Sequence, residues 1–75
     1  MTKRRIRLRS VDEVREFEQA ADRCDFAVNI LNEGALIDAK SIMGVMSLDL
    51  TQVLVVTYSD ENAELERVLG KFADA

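Results

Sequence analysis

Lys40–Leu48 reads KSIMGVMSL, and the reading of the whole chain turns on this stretch. Ser41 stands where an N-cap belongs, its hydroxyl placed to accept a hydrogen bond from a first-turn amide that otherwise lacks a partner. Behind it, Ile42, Met43, Val45, Met46 and Leu48 point in almost every direction around a very short helix. Ile42, Val45 and Met46 form one stripe, while Met43 with Met46 reaches onto a neighbouring one. So short a helix cannot bury them all, and at least one methionine stays near solvent. The expectation is a small exposed apolar patch beside a serine hydroxyl. The local pattern alone also fits a serine that merely caps and methionines that merely fill a core. Gly44 costs such a helix about 1 kcal/mol relative to alanine, and its missing side chain suits a close approach to another element.

Working outward, Val53 to Tyr58 is a β-branched run that predicts a strand, with Leu54, Val56 and Tyr58 inward and Val55 and Thr57 on the other face. Ser59 and Asp60 then offer a cap, Glu61 and Glu64 put negative charge in a first turn, and Leu65, Val68, Leu69 and Phe72 make the stripe of a last helix. On the other side, Phe26, Val28 and Ile30 alternate up to the turn signal Asn32, Glu33, Gly34. A third strand follows through Asp38, with Ala35, Ile37 and Ala39 inward. Ser10 and Glu13 have the spacing of a capping box, and Val11, Val14, Phe17, Ala21 and Cys24 recur at helical steps, predicting a first helix over Val11–Arg23. Arg5 to Arg9 alternates Arg, Ile, Arg, Leu, Arg, the period of a half-buried first strand with Ile6 and Leu8 inward. The order βαββαβα predicts the α+β class, with one four-stranded antiparallel sheet carrying three helices on one face.

The 75 residues suit a single domain over 1–75 with a modest core, and 48% hydrophobic with 32% charged residues is a globular composition. Cys24 stands alone, so no intrachain disulfide can form. It continues the apolar stripe of the first helix and reads as a small buried hydrophobe, the alternative being a reactive thiol. With no histidine the common zinc sets cannot be assembled, and neither a metal nor a cofactor is expected. No apolar run is long enough for a bilayer and MTKRRIRLRS lacks the middle of a signal peptide, so a cytoplasmic protein with no membrane partner is expected. The net charge of −4 hides an asymmetry, because Lys3, Arg4, Arg5, Arg7 and Arg9 supply half of the ten basic residues. An acidic remainder and a lack of aromatic readers argue for a solvated strand face and against direct nucleic-acid binding. The pairs Asp12 with Glu13 and Asp60 with Glu61 sit at helix starts, where capping accounts for them. No nucleophile with a base can be assembled, so the chain is not expected to be an enzyme.

The element order and the segment AKSIMGVMSLDL together resemble HPr, the histidine-containing phosphocarrier family of the bacterial sugar phosphotransferase system. The likeness is strongest at KSIMGVMSL and continues in register through VNILNEGALID before it and VVTYS after it. It implies an HPr-like open-faced β-sandwich. It also implies that Ser41 is a regulatory phosphoacceptor and that Ile42, Met43, Met46 and Leu48 help form a docking surface. The implied partners are HPr kinase/phosphorylase and, after phosphorylation, a LacI-type transcription regulator or phosphotransferase-system proteins.

The departures from the family pattern are as informative. Carriers of that family hold phosphate on a histidine at the start of the first helix, in a glycine-containing loop followed by arginine and proline. Counting back without gaps from Ser41, Ser10 occupies the histidine position, and Val11, Asp12 and Glu13 replace the residues that come next in the carriers. Asp49 and Val53 stand where the family has glycines. An imidazole makes a phosphoramidate of high transfer potential, whereas a serine ester lies far lower, so Ser10 is read as a helix cap. Asp12 and Glu13 are also expected to repel an incoming phosphoryl donor. The resulting expectation is a regulatory HPr-like protein of carbon catabolite control, monomer or weak dimer, without histidine carrier activity. The alternative is a repurposed structural or oligomerising module that buries Met43 and Met46 in a self-interface and is not phosphorylated.

Overall fold

The computed structural model describes residues 1–74. Its elements follow the expected order: β1 (Thr2–Ile6), α1 (Val11–Asp22), β2 (Val28–Asn32), β3 (Ala35–Asp38), α2 (Ile42–Met46), β4 (Leu54–Tyr58) and α3 (Ala63–Lys71). The four strands form one antiparallel sheet in the order β1-β4-β2-β3, with three helices against one face. This is the α+β open-faced sandwich the sequence predicts. Glu33 (φ 51°) and Gly34 (φ 84°) make the left-handed turn between β2 and β3, a conformation that glycine adopts without a Cβ penalty.

The core lies between sheet and helices. Ile6, Val28, Ile30, Leu54, Val56 and Tyr58 from the strands meet Val14, Phe17, Ala21, Leu65, Val68 and Leu69 from α1 and α3. A side-chain tie holds α3 to the sheet: Glu66 accepts from Arg4 at 2.7 Å on one oxygen and from the Tyr58 hydroxyl on the other. Phe26 stacks against Tyr58 with ring centroids 6.4 Å apart.

Several boundaries differ from the sequence reading. The first strand is Thr2–Ile6, not Arg5–Arg9, because its partner β4 ends opposite Ile6 at Leu54. Leu8 is still buried, but by packing beyond the strand. The fourth strand begins at Leu54, so Val53 does not extend it. The last helix is capped by Asn62, which accepts from the Leu65 amide at 3.0 Å, and not by Ser59 or Asp60; its first-turn acids are Glu64 and Glu66. Val11 was expected on the buried stripe of α1 but is half exposed, since the first helical position lies at the rim of the core. Ala35 is exposed, and Ile37 is partly buried; Ala39 alone of that set is fully buried.

Candidate functional site

Ser41 caps α2 with extended backbone (φ −95°, ψ 108°), and its Oγ accepts from the Gly44 amide at 3.1 Å. Its carbonyl accepts the Val45 amide at 3.0 Å, so side chain and carbonyl both serve the helix while its own amide donates back to the Asp38 carbonyl and the residue itself is exposed. Two bonds set the chain direction before it. The Asp38 carboxylate accepts the Lys40 amide at 2.9 Å, and the Lys40 ammonium donates to the Cys24 carbonyl at 2.7 Å. Neither Lys40 nor Asp38 is thereby left free to set the position of the Ser41 hydroxyl; the cap does that.

Gly44 is where α2 comes close to β3. A β-carbon there would stand 3.2 Å from Ile37 Cγ2 and 3.3 Å from Ser41 Oγ, tighter than ordinary contact. The missing side chain thus lets the helix lie down on Ile37 and keeps the cap hydroxyl in place, as the sequence suggested. Val45 is fully buried and anchors the helix from below.

The remaining apolar residues divide as a short helix requires. Met43 is 81% exposed, Met46 45% and Ile42 39%, and together they form an apolar surface on the same helix that Ser41 opens. Leu48, expected on the docking surface, is instead 9% exposed and belongs to the core. It follows the last turn, and its amide donates to the Val45 carbonyl, which turns the chain inward. The surface is therefore Ile42, Met43 and Met46, with Leu48 beneath it.

Ser10 is a helix cap, accepting from the Glu13 amide at 3.2 Å. Glu13 reaches back to the Arg9 amide at 2.8 Å, one residue beyond the N-cap amide that a reciprocal capping box would use. Ser10 also lines an open depression of about 390 Å³ with Arg7, Leu8, Arg9, Val11, Leu50 and Thr51. Arg7 and Arg9 line this depression, and the Glu13 carboxylate accepts from the Arg9 amide at its rim. What Ser10 lacks is the imidazole. The alternation of basic residues from Lys3 to Arg9 was the available signal for Arg7 and Arg9, but nothing local linked them to Leu50 across the sequence.

Cys24 is buried, its thiol donating to the Ala20 carbonyl, and burial pushes its pKa up against the opposing pull of Lys40. Among the described residues no helix is long and apolar enough to cross a membrane. No solved structure gives a significant match to the chain. Residues 13–75 match the family described as the PTS HPr component phosphorylation site. That match takes in α1 from Glu13 onward, the hairpin, α2 with its capping serine, β4 and α3, and the family is one of phosphocarriers that work with other phosphotransferase-system proteins. This chain therefore belongs to the HPr family of the phosphotransferase system.

Proposed function

We propose that this chain is a regulatory HPr-like protein of carbon catabolite control, which docks through α2, is phosphorylated on Ser41, and carries no phosphoryl group on histidine. The observation that supports it best is the exposed Ser41 hydroxyl at the start of a helix whose Ile42, Met43 and Met46 face solvent. A phosphoserine brings roughly 1.5 to 2 negative charges at pH 7, and an apolar contact surface beside it would gain or lose partners accordingly. HPr kinase/phosphorylase is the enzyme that would modify Ser41. Phosphotransferase-system proteins or a LacI-type transcription regulator would read the result. The chain contains no histidine, and neither Ser10 nor Ser41 can form a phosphoramidate, so relay from enzyme I is lost whatever the charge around Ser10.

The test uses purified protein with HPr kinase and ATP, followed by intact mass for wild type and Ser41→Ala. One added phosphate on wild type and none on Ser41→Ala is expected. Unmodified wild type, or equal labelling of the variant, would overturn the reading. In parallel, enzyme I with phosphoenolpyruvate should leave no acid-labile phosphate on the chain.

A further inference from the structure

Two cross-strand rows lie on the side of the sheet away from the helices. Arg5, Val55, Leu31 and Leu36 are successive partners across β1, β4, β2 and β3, and Lys3, Thr57, Asn29 and Asp38 form the adjacent outward row. Paired residues share a face, and the alternate residues Ile6, Val56 and Ile30 are in the core, so both rows face outward. The first row is apolar for three strands, with Leu31 37% and Leu36 57% exposed and Val55 partly buried. In the second, Thr57 is only 3% exposed, its hydroxyl covered by neighbouring side chains of the same protomer, so Lys3, Asn29 and Asp38 carry the exposed part of that row. One edge of this face carries Lys3 and Arg5, and the opposite edge carries Asp38.

We propose that this open face packs on a second copy of the same chain, across a twofold axis parallel to the strands and between β4 and β2. That axis reverses the strand order and keeps the rows level, so β1 of one protomer lies over β3 of its partner. Lys3 then meets the partner's Asp38, Arg5 covers the partner's Leu36 and Val55 sits on the partner's Leu31. By symmetry each contact occurs twice. A twofold axis across the strands would instead stack β1 on β1 and set Lys3 and Arg5 against themselves, which like-charge repulsion disfavours. The aligned packing of two sheets, about −30° apart, keeps the central pairs and loosens the outer ones.

Area sets the strength. Four strands about 4.8 Å apart and about 17 Å long give a face on the order of 300 Å² per copy, below the ~800 Å² per partner of a standard stable interface. The dimer is accordingly weak, forming towards millimolar protein, and salt weakens it through the Lys3–Asp38 pairs. This surface is separate from α2, and the inference does not depend on Ser41 being phosphorylated.

Sedimentation equilibrium and an amide-shift dilution series on the full chain, from micromolar to millimolar, test it. Expected are a reversible dimer, dilution shifts at Leu31, Leu36, Val55 and Thr57 but not at Met43, and loss of the dimer throughout that concentration range in Leu36→Glu. Met43→Asp should leave it unchanged. A chain that stays monomeric to millimolar concentration overturns the proposal. So does a dimer that Met43→Asp dissociates, or one whose dilution shifts map to α2. The wild-type dilution map needs no variant, so a Leu36→Glu that failed to fold would not shield the idea.

Discussion

The Lys40 ammonium and the Cys24 carbonyl oxygen meet at 2.7 Å, tying the residue before Ser41 to the end of α1. Helix α2 is too short to hold its own position by propensity, so this bond, the cap and Val45 must hold it. Lys40→Met keeps the aliphatic stem and removes the charge. With Lys40 only partly buried, the expected loss is about 1 kcal/mol of unfolding free energy, below the range for fully buried charged hydrogen bonds. Urea titration reads the loss, and faster hydrogen exchange at Gly44 and Val45 locates it.

The two serine caps should respond alike to alanine. Ser10→Ala and Ser41→Ala each leave a first-turn amide unpaired and should each cost about 1 kcal/mol. Ser41→Asp keeps an acceptor at the cap and should remain close to wild type in stability while placing a negative charge beside Met43 and Met46. Denaturant midpoints of the three variants check this. A large destabilisation by Ser41→Asp would mean that the hydroxyl is held by more than the Gly44 amide.

Tyr58 makes the fold sensitive to alkali. Burial pushes its pKa above the ordinary phenol value, and the Glu66 carboxylate that accepts from it pushes the same way, while Arg4 pulls back. A phenol whose pKa is higher folded than unfolded stabilises the fold fully below the unfolded value, near 10, and loses that contribution as pH rises through the folded value. Stability of wild type should therefore fall above about pH 10 more steeply than that of Tyr58→Phe. Subtracting the two curves removes the lysines, which titrate in the same range.

Cys24 should be inert. Its thiol is buried, it donates to Ala20, and its pKa is raised, so little thiolate forms and little reagent reaches it. A thiol reagent should modify it in urea at once and in buffer only as fast as the chain opens. Rapid native modification would show that the end of α1 lifts away from the core.

The helices and the caps of α1 and α2 were legible because their signals are local. Ser10, Ser41 and the stripe Leu65, Val68, Leu69 and Phe72 can be read from spacing alone, and the structure buries that stripe as expected. Strand ends were not legible, because a strand stops where its partner stops. Arg5–Arg9 alternates beyond the point at which β4 runs out, and the pattern continues without a ladder. Asn62 competes with Ser59 and Asp60 for one helix start, and three capping residues so close together cannot be ranked without the packing of Leu65. The exposure of Met43 could be argued from the shortness of α2. The burial of Leu48 depended on the turn after the helix, and the depression beside Ser10 on Leu50 arriving from elsewhere in the chain.

Because β4 lies between β1 and β2, β1 has no strand partner and cannot join the β2–β3 hairpin until the strand at Leu54–Tyr58 has arrived. Its pairing with β1 closes a loop of roughly fifty residues, an entropic cost met before any ladder bond between them forms. Folding should thus run through one late, long-range step on a millisecond or slower timescale, with the helical segments and the Glu33–Gly34 hairpin flickering in advance of it. Strain or mutation that slows the docking of β4 would prolong the time during which Ile6 and Ile30 are open to aggregation.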